Sequence, residues 1–478
     1  MTQAGRTIVR GASASVAGLG VRLGARLLFL VVAGQLYGAE LFGAFALAVA
    51  AIELAVAIGG LGMKKLIFRE LDERGERTAD HVLADAVLLV SVASLALAAA
   101  VTAAIMLLPG TLVSANTERA LMMLAPMIAG QALLDLLLAA TRWKHLIRYE
   151  VAGRSIVEPW TALAAAVGAW YAGYGESGLL IAYWAGTLAA LVFAAAGVRR
   201  CFGRFSPSAW QVRGRRIAAM GRAALSNTAT DALSGFFVRL DLYLVGILMG
   251  ERAAGVYAMA RQLAMPVRQV RQGFDGLLTP MVAKTLHARG AETASLAIAS
   301  ATRLILALQV PLLIALCAVG RPLLHWLGPE FVAGWLAAVL LTLAETVQGA
   351  YGIGELMFVY RRPRLGLQVN GAGLLIALAA SVALIPLWGI DGAAAAVLIA
   401  YCARAWLRRA VLKASLGVGV PLHHSLGPVV AGAAGVAAAL LTPFAWPVAL
   451  AAGLAAYALI LFAWLRLSGQ TLALTDFE

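Results

Sequence analysis

The sequence predicts an all-α integral membrane protein of about fourteen transmembrane helices, built as two parallel six-helix lobes with two further helices at the C-terminus. Three observations predict it. The 478 residues are 62% hydrophobic and only 13% charged, with a mean hydropathy of +0.85, whereas a soluble chain carries about 25% charged residues. Basic residues collect at alternate connections between apolar stretches. One short pattern occurs twice, roughly 212 to 219 positions apart.

A bilayer core takes about 20 mostly apolar residues per helix. Fourteen stretches meet that requirement: 12–36, 41–63, 80–108, 120–141, 151–173, 178–198, 218–249, 253–281, 295–319, 331–359, 367–388, 392–412, 425–442 and 447–466. The first is read as a membrane helix and not as a cleavable signal, because Arg22 and Arg26 interrupt it and no small-residue cleavage site follows. The stretches 218–249 and 253–281 are the least hydropathic. They count as spans because the repeat aligns them with the first two.

Loop charge tests the count. One side carries Lys64, Lys65, Arg69, Arg74 and Arg77, then Arg142, Lys144 and Arg148, then a run of six arginines between Arg199 and Arg216. It continues with Lys284 and Arg289, with Arg361, Arg362 and Arg364, and with Arg408, Arg409 and Lys413. The other side offers only Arg119, Arg252 and Arg321. Both termini are therefore expected in the cytoplasm, and the net charge of +14 follows from topology, with no nucleic-acid partner implied.

The repeat sets the domain organisation. Tyr37-Gly38-Ala39-Glu40-Leu41-Phe42-Gly43-Ala44-Phe45 is matched by Met249-Gly250-Glu251-Arg252-Ala253-Ala254-Gly255-Val256-Tyr257, and Gly175-Glu176-Ser177-Gly178 by Gly389-Ile390-Asp391-Gly392. Each copy links two apolar helices through a glycine turn. The expected division is an N-terminal lobe at 1–198, a cytoplasmic linker at 199–217, a C-terminal lobe at 218–412 and accessory helices at 425–466. Six spans per lobe make the repeats parallel, a plan that places a substrate site at mid-membrane between the halves.

Ionisable residues at membrane depth cost about 2.5–3.5 kcal/mol each on insertion and so face protein or water. Arg22 and Arg26 lie one turn apart in the first helix. Arg239 lies in the seventh, and Arg261, Arg268 and Arg271 share one face of the eighth. The acidic counterparts include Glu53, Asp135, Glu158, Asp231, Asp241, Glu345 and Glu355. Asp241 precedes the Gly250 turn by nine positions and Arg261 follows it by eleven, so the two are level. Asp231 is likewise level with Arg268 and Arg271, and Arg26 with Glu53. Arg22, Arg268 and Arg271 outnumber the acids near them, and a surplus of guanidinium in a wet cavity suits phosphate, whose oxygens the planar fork meets in pairs. Arg222, Arg303 and Arg404 are expected to snorkel to an interface. Gly20 and Gly24 form a GxxxG step, expected to mark close helix packing, and Pro311 interrupts the ninth helix.

Arg239-Leu240-Asp241-Leu242-Tyr243-Leu244-Val245-Gly246, with Gly250 and Ala254-Gly255-Val256-Tyr257, resembles the helix 7–8 signature of bacterial polysaccharide exporters. So does Gly43-Ala44-Phe45-Ala46-Leu47-Ala48 followed by Gly60-Leu61-Gly62. The chain is thereby similar to the Wzx-type O-antigen and exopolysaccharide flippases of the multidrug/oligosaccharidyl-lipid/polysaccharide exporter superfamily, over nearly its whole length. The resemblance implies transfer of an undecaprenyl-pyrophosphate-linked oligosaccharide between the leaflets of the inner membrane by alternating access. It implies a substrate held by Arg22, Arg26, Arg239, Arg261, Arg268 and Arg271. It also implies coupling to proton or sodium entry, with Glu53, Asp231 and Asp241 as the candidate carriers, and membrane lipids and polysaccharide polymerase or assembly proteins as partners.

Other readings fit less well. A multidrug exporter for cationic drugs calls for an acidic cavity. A lipid II flippase also needs arginines for pyrophosphate and stays open, as does a non-transporting component of an assembly complex. A polymerase, ligase or glycosyltransferase needs a large loop or a nucleotide-binding glycine pattern opening a helix, and neither is present in the sequence. Three scattered cysteines and one His423-His424 pair give no metal spacing, and no cofactor is expected.

Overall fold

The computed structural model describes residues 20–472 apart from 76–77, 108–109, 111–113, 204–209, 211–212, 356–357, 359–362, 444 and 471. Positions 12–19 of the first expected span and much of the linker at 199–217 lie outside the described residues, as do Arg77, Arg361 and Arg362. The described elements are helical, with no strand among the described residues.

Fourteen helical spans follow from the sequence's own breaks. Helix α1 (20–37) closes in a π-turn at Ala33–Tyr37 and gives way to α2 (Gly38–Gly59). After the surface helix Met63–Arg74 comes α3 (Ala79–Leu107). Helix α4 joins Ala115–Leu124 to Met127–Trp143 at a 47° bend, where Pro126 cannot donate to the preceding turn. Helix α5 (148–171) carries an internal π-turn, Gly153–Val157. Helices α6 (Gly178–Phe202) and α7 (Gly214–Met249) complete the series as far as the Gly250 turn. Glu251–Leu327 is a helical stretch of 77 residues, about 115 Å long at 1.5 Å per residue and far too long for one crossing. Gly290, at φ 83°, divides it into α8 (251–289) and α9 (Gly290–Leu327). Helix α10 is Trp335–Tyr351, and Gly389 at φ 58° separates α11 (363–388) from α12 (390–416). Helices α13 (His423–Leu441) and α14 (Trp446–Ser468) end the fold. Among the described residues nine helices are long and apolar enough to cross a membrane, or ten with the bent pair. Two of the nine are 54 and 51 residues long, room for two crossings each. The interrupted α5 and the weakly apolar α8 bring the total to fourteen.

By packing the chain forms two compact units, Met1–Gly255 and Val256–Glu478. The repeat boundary and the packing boundary differ because they measure different things. Helix α7 belongs to the second repeat, yet it packs on α2: Tyr243 donates to the Ala50 carbonyl at 2.8 Å, and Leu47 covers Gly246. In the first unit a core of Met63, Ile67, Leu71, Val82, Leu83, Leu136 and Met220 ties the surface helix to α3, α4 and α7. Among the described residues nothing packs closely on Gly20 or Gly24, since a Cβ at either would meet none of their atoms within 4 Å.

In the second unit the two last helices are bolted to α9. Pro311 has no N–H to give the Ala307 carbonyl one turn earlier. The Tyr457 hydroxyl supplies the missing donor at 2.9 Å, and Ile314 packs against Gly435 and Gly453. Tyr457→Phe keeps the ring and strands that carbonyl. It is expected to destabilise the purified protein by about 1 kcal/mol, read as a lowered melting temperature in detergent. An unchanged melting curve would mean that the Ala307 carbonyl has another donor.

Candidate functional site: a charged cavity in the first unit

A cavity of about 530 Å³ opens among α1, α2, α4, α5, α6 and α7. Its charged lining consists of Arg22, Arg26, Lys64, Arg154 and Arg239 against Glu53, Asp135, Glu158 and Asp231, with Gln131, Tyr183 and Thr187 as uncharged polar members. Five cations thus face four carboxylates. Glu53 lies fifteen residues beyond the Gly38 turn and Asp231 nineteen before the Gly250 turn. At 1.5 Å per residue these are about 22 and 28 Å from those turns, so the cavity occupies the half of the helices away from them.

Local structure aims these groups. Arg154 sits in the π-turn Gly153–Val157 of α5, a widened turn of the kind that redirects side chains at functional sites. From there it pairs with Asp135, donates to Glu158 at 2.9 Å and reaches the Gln131 Oε1 at 3.1 Å. Gln131 in turn donates to Glu158 at 3.2 Å and to the Thr187 hydroxyl at 2.9 Å. Lys64 stands 3.7 Å from Asp135. The second cluster pairs Arg239 with Glu53, and Lys65 donates to Asp231 at 2.5 Å. Arg22 is exposed to the cavity and forms no ion pair with a described residue. The arrangement is a polar network in which cations outnumber carboxylates, able to accept an anion by adding bonds to guanidinium groups already held in place.

The structure gathers five of the nine expected residues here: Arg22, Arg26, Arg239, Glu53 and Asp231. Asp241 is buried in α7 and is not among the lining. Arg261, Arg268 and Arg271 lie on α8 in the second unit. There Arg268 pairs with Glu345, its Nε donating at 3.1 Å. Arg271 donates to the carbonyls of Gln348 at 3.0 Å and Gly352 at 3.4 Å. Two expectations of snorkelling are corrected: Arg303 is 3% and Arg404 7% exposed. Arg303 meets His424 at 3.3 Å and Arg404 lies 3.9 Å from Glu355, because a half-buried imidazole or carboxylate supplies each guanidinium with a polar partner inside the protein.

Sequence reasoning did not place Arg154, Gln131, Tyr183 or Lys64 in the site. A signal existed for the first. Arg154 and Glu158 stand four apart in an otherwise apolar helix, and Pro159 follows them, a spacing that marks a pair held on one face.

Comparison with known proteins agrees with this architecture. Residues 35–339 match the family described as polysaccharide biosynthesis protein. No curated protein matches the sequence. Among solved structures, a lipid II flippase MurJ in an inward closed conformation aligns with TM-score 0.78 at 13% identity, covering 95% of this chain and 99% of that one. A multidrug resistance MATE family transporter of the MOP superfamily aligns in its inward-facing form with TM-score 0.66 at 15% identity, over 84% of this chain and 99% of the other. An outward-facing multidrug resistance MATE family transporter of the MOP superfamily gives 0.57 at 16% identity, over 85% of this chain and 96% of the other. At these identities the likeness establishes the fold, which is one shared with transporters.

Proposed function

The chain belongs to the polysaccharide biosynthesis protein family, and we propose that it is a flippase carrying an undecaprenyl-pyrophosphate-linked oligosaccharide across the bacterial inner membrane. The observation that carries this reading is the cavity with one cation in excess, set among apolar spans. Arg22 and Arg26 face the entering pyrophosphate, and Arg239 and Arg154 reach it once their carboxylates exchange partners. The polyprenyl tail stays in lipid while the head group crosses. Alternating access carries the head group across, and Arg261, Arg268 and Arg271 on α8 are further substrate-binding cations within the second unit. Glu53, Asp231 and Asp241 couple the cycle to proton or sodium entry, and both termini lie in the cytoplasm. Polysaccharide polymerase and assembly proteins would receive the product.

A lipid II flippase is the second reading, favoured by the alignment over 95% of the chain. Both cargoes present a polyprenyl pyrophosphate and differ in the sugar. The test is transfer of fluorescent lipid-linked substrates by purified protein in liposomes. Lipid-linked oligosaccharide is expected to move faster than lipid II, and absence of transfer of either would end the transporter reading. Arg22→Gln removes a charge-assisted contact without stranding a described carboxylate. It is expected to slow transfer by about tenfold with no change in melting temperature. Wild-type rates from that variant would remove Arg22 from the substrate path.

A further inference from the structure

We propose that the second unit holds an anionic phospholipid at the cytoplasmic ends of α9, α10, α12 and α13. A cavity of about 330 Å³ lies there, walled by Ile298, Val347, Leu412 and Leu422 and carrying Arg408 and Arg409. Its charge is unbalanced. Glu355 is the carboxylate that meets Arg408. It takes Arg408 at 3.0 Å and Arg404 at 3.9 Å, and accepts from Asn370 at 3.0 Å. Arg408 is 1% exposed, and its Nε has no partner among the described residues. Arg409 lines the cavity half-buried and forms no ion pair with a described residue. Arg404 and Arg408 therefore share Glu355, while Arg409 meets no described carboxylate and lines an apolar hollow.

That combination selects an amphiphile. A soluble anion would need polar walls, whereas an acyl chain fits the walls and a phosphate fits Arg409. The depth agrees: Trp406, on the same turn as Arg409, is 67% exposed, and an exposed tryptophan beside basic residues marks the membrane–water interface. The topology read from loop charge puts this end in the cytoplasmic leaflet, where each basic residue near an anionic surface contributes about 1 kcal/mol.

Cys402 lines the same cavity and is exposed, so it reports occupancy. The protein, carrying Cys201→Ser and with Cys317 buried, is placed in nanodiscs of phosphatidylcholine with or without phosphatidylglycerol, and N-ethylmaleimide labelling of Cys402 is timed. Phosphatidylglycerol is expected to slow labelling by about fivefold. Arg409→Gln is expected to remove the protection and Arg409→Lys to keep most of it. Cys201, followed in a Cys402→Ser background, reads the surface-pH effect of the charged lipid and is expected to change little. Equal rates at Cys402 in both lipids, equal slowing at Cys201, or protection indifferent to Arg409→Gln would each overturn the proposal. So would protection by a polyprenyl pyrophosphate alone, which would assign the cavity to cargo.

Discussion

Arg154→Ala is expected to abolish transport and to destabilise the protein by about 3 kcal/mol, the lower end for breaking a buried pair because the side chain keeps some solvent. Arg154 is 24% exposed and holds Asp135 and Glu158, themselves 28% and 24% exposed. Alanine leaves both carboxylates at membrane depth with one guanidinium fewer, and Gln131 loses a donor to its Oε1. Arg154→Lys is expected to fall between, since a single ammonium cannot span two carboxylates with the geometry of a fork. The decisive companion is Arg154→Met with Asp135→Leu and Glu158→Leu, which replaces the network by apolar groups. Such replacement restores stability in many buried networks, so melting should return toward wild type while transport in liposomes does not. If the triple variant transports normally, the network serves structure alone and the cavity is not the substrate path.

Much of this architecture was written in local patterns. Apolar run length, loop charge and the glycine turns located fourteen spans, most ends to within a few residues and those of α8, α9 and α10 to within about eight, because each depends only on neighbours in sequence. Charge partners were not legible in the same way. Reckoning depth from the Gly250 hairpin set Asp231 level with Arg268, yet Asp231 pairs with Lys65, 166 positions away, and Arg268 with Glu345, 77 positions away. Depth fixes one coordinate of a side chain, whereas pairing depends on which helices are neighbours and on how each is rotated. The π-turn beneath Arg154 was illegible for a related reason: a single extra residue in a turn rotates everything beyond it, and nothing in the composition of Gly-Arg-Ser-Ile-Val announces it. The GxxxG step at Gly20 and Gly24 shows the converse. A motif permits close approach without requiring a helix to be there.

The repeated glycines give the second large effect. Gly255→Leu is expected to destabilise the protein by about 3 kcal/mol or more and to stop transport, whereas Gly24→Ala should leave both unchanged. Gly43 and Gly255 occupy corresponding places in the two copies of the repeat and meet within the first unit. A Cβ on Gly43 would lie 2.8 Å from the Gly255 nitrogen, and one on Gly255 would lie 3.0 Å from the Gly43 nitrogen. Each would also drive into a carbonyl oxygen, that of Glu251 and that of Ala39. Backbone cannot yield as a side-chain tip can, so the start of α8 must move away from α2. That movement takes Glu251 with it. Its carboxylate accepts from the Thr117 amide at 2.8 Å, the Thr117 hydroxyl at 2.6 Å and Asn116 at 3.1 Å, and from Ser114, closing the N-terminus of α4 where a negative charge is favoured. Burial pushes this carboxyl up, but those donors outweigh it and hold it below the ordinary carboxylate range. A depressed value means that the contact stabilises at neutral pH and loses that contribution as pH falls through the depressed value. The wild-type melting temperature should therefore drop more steeply on acidification than that of Gly255→Leu, in which the contact is already broken. Parallel pH profiles for the two proteins would show that Glu251 does not depend on the glycine contact.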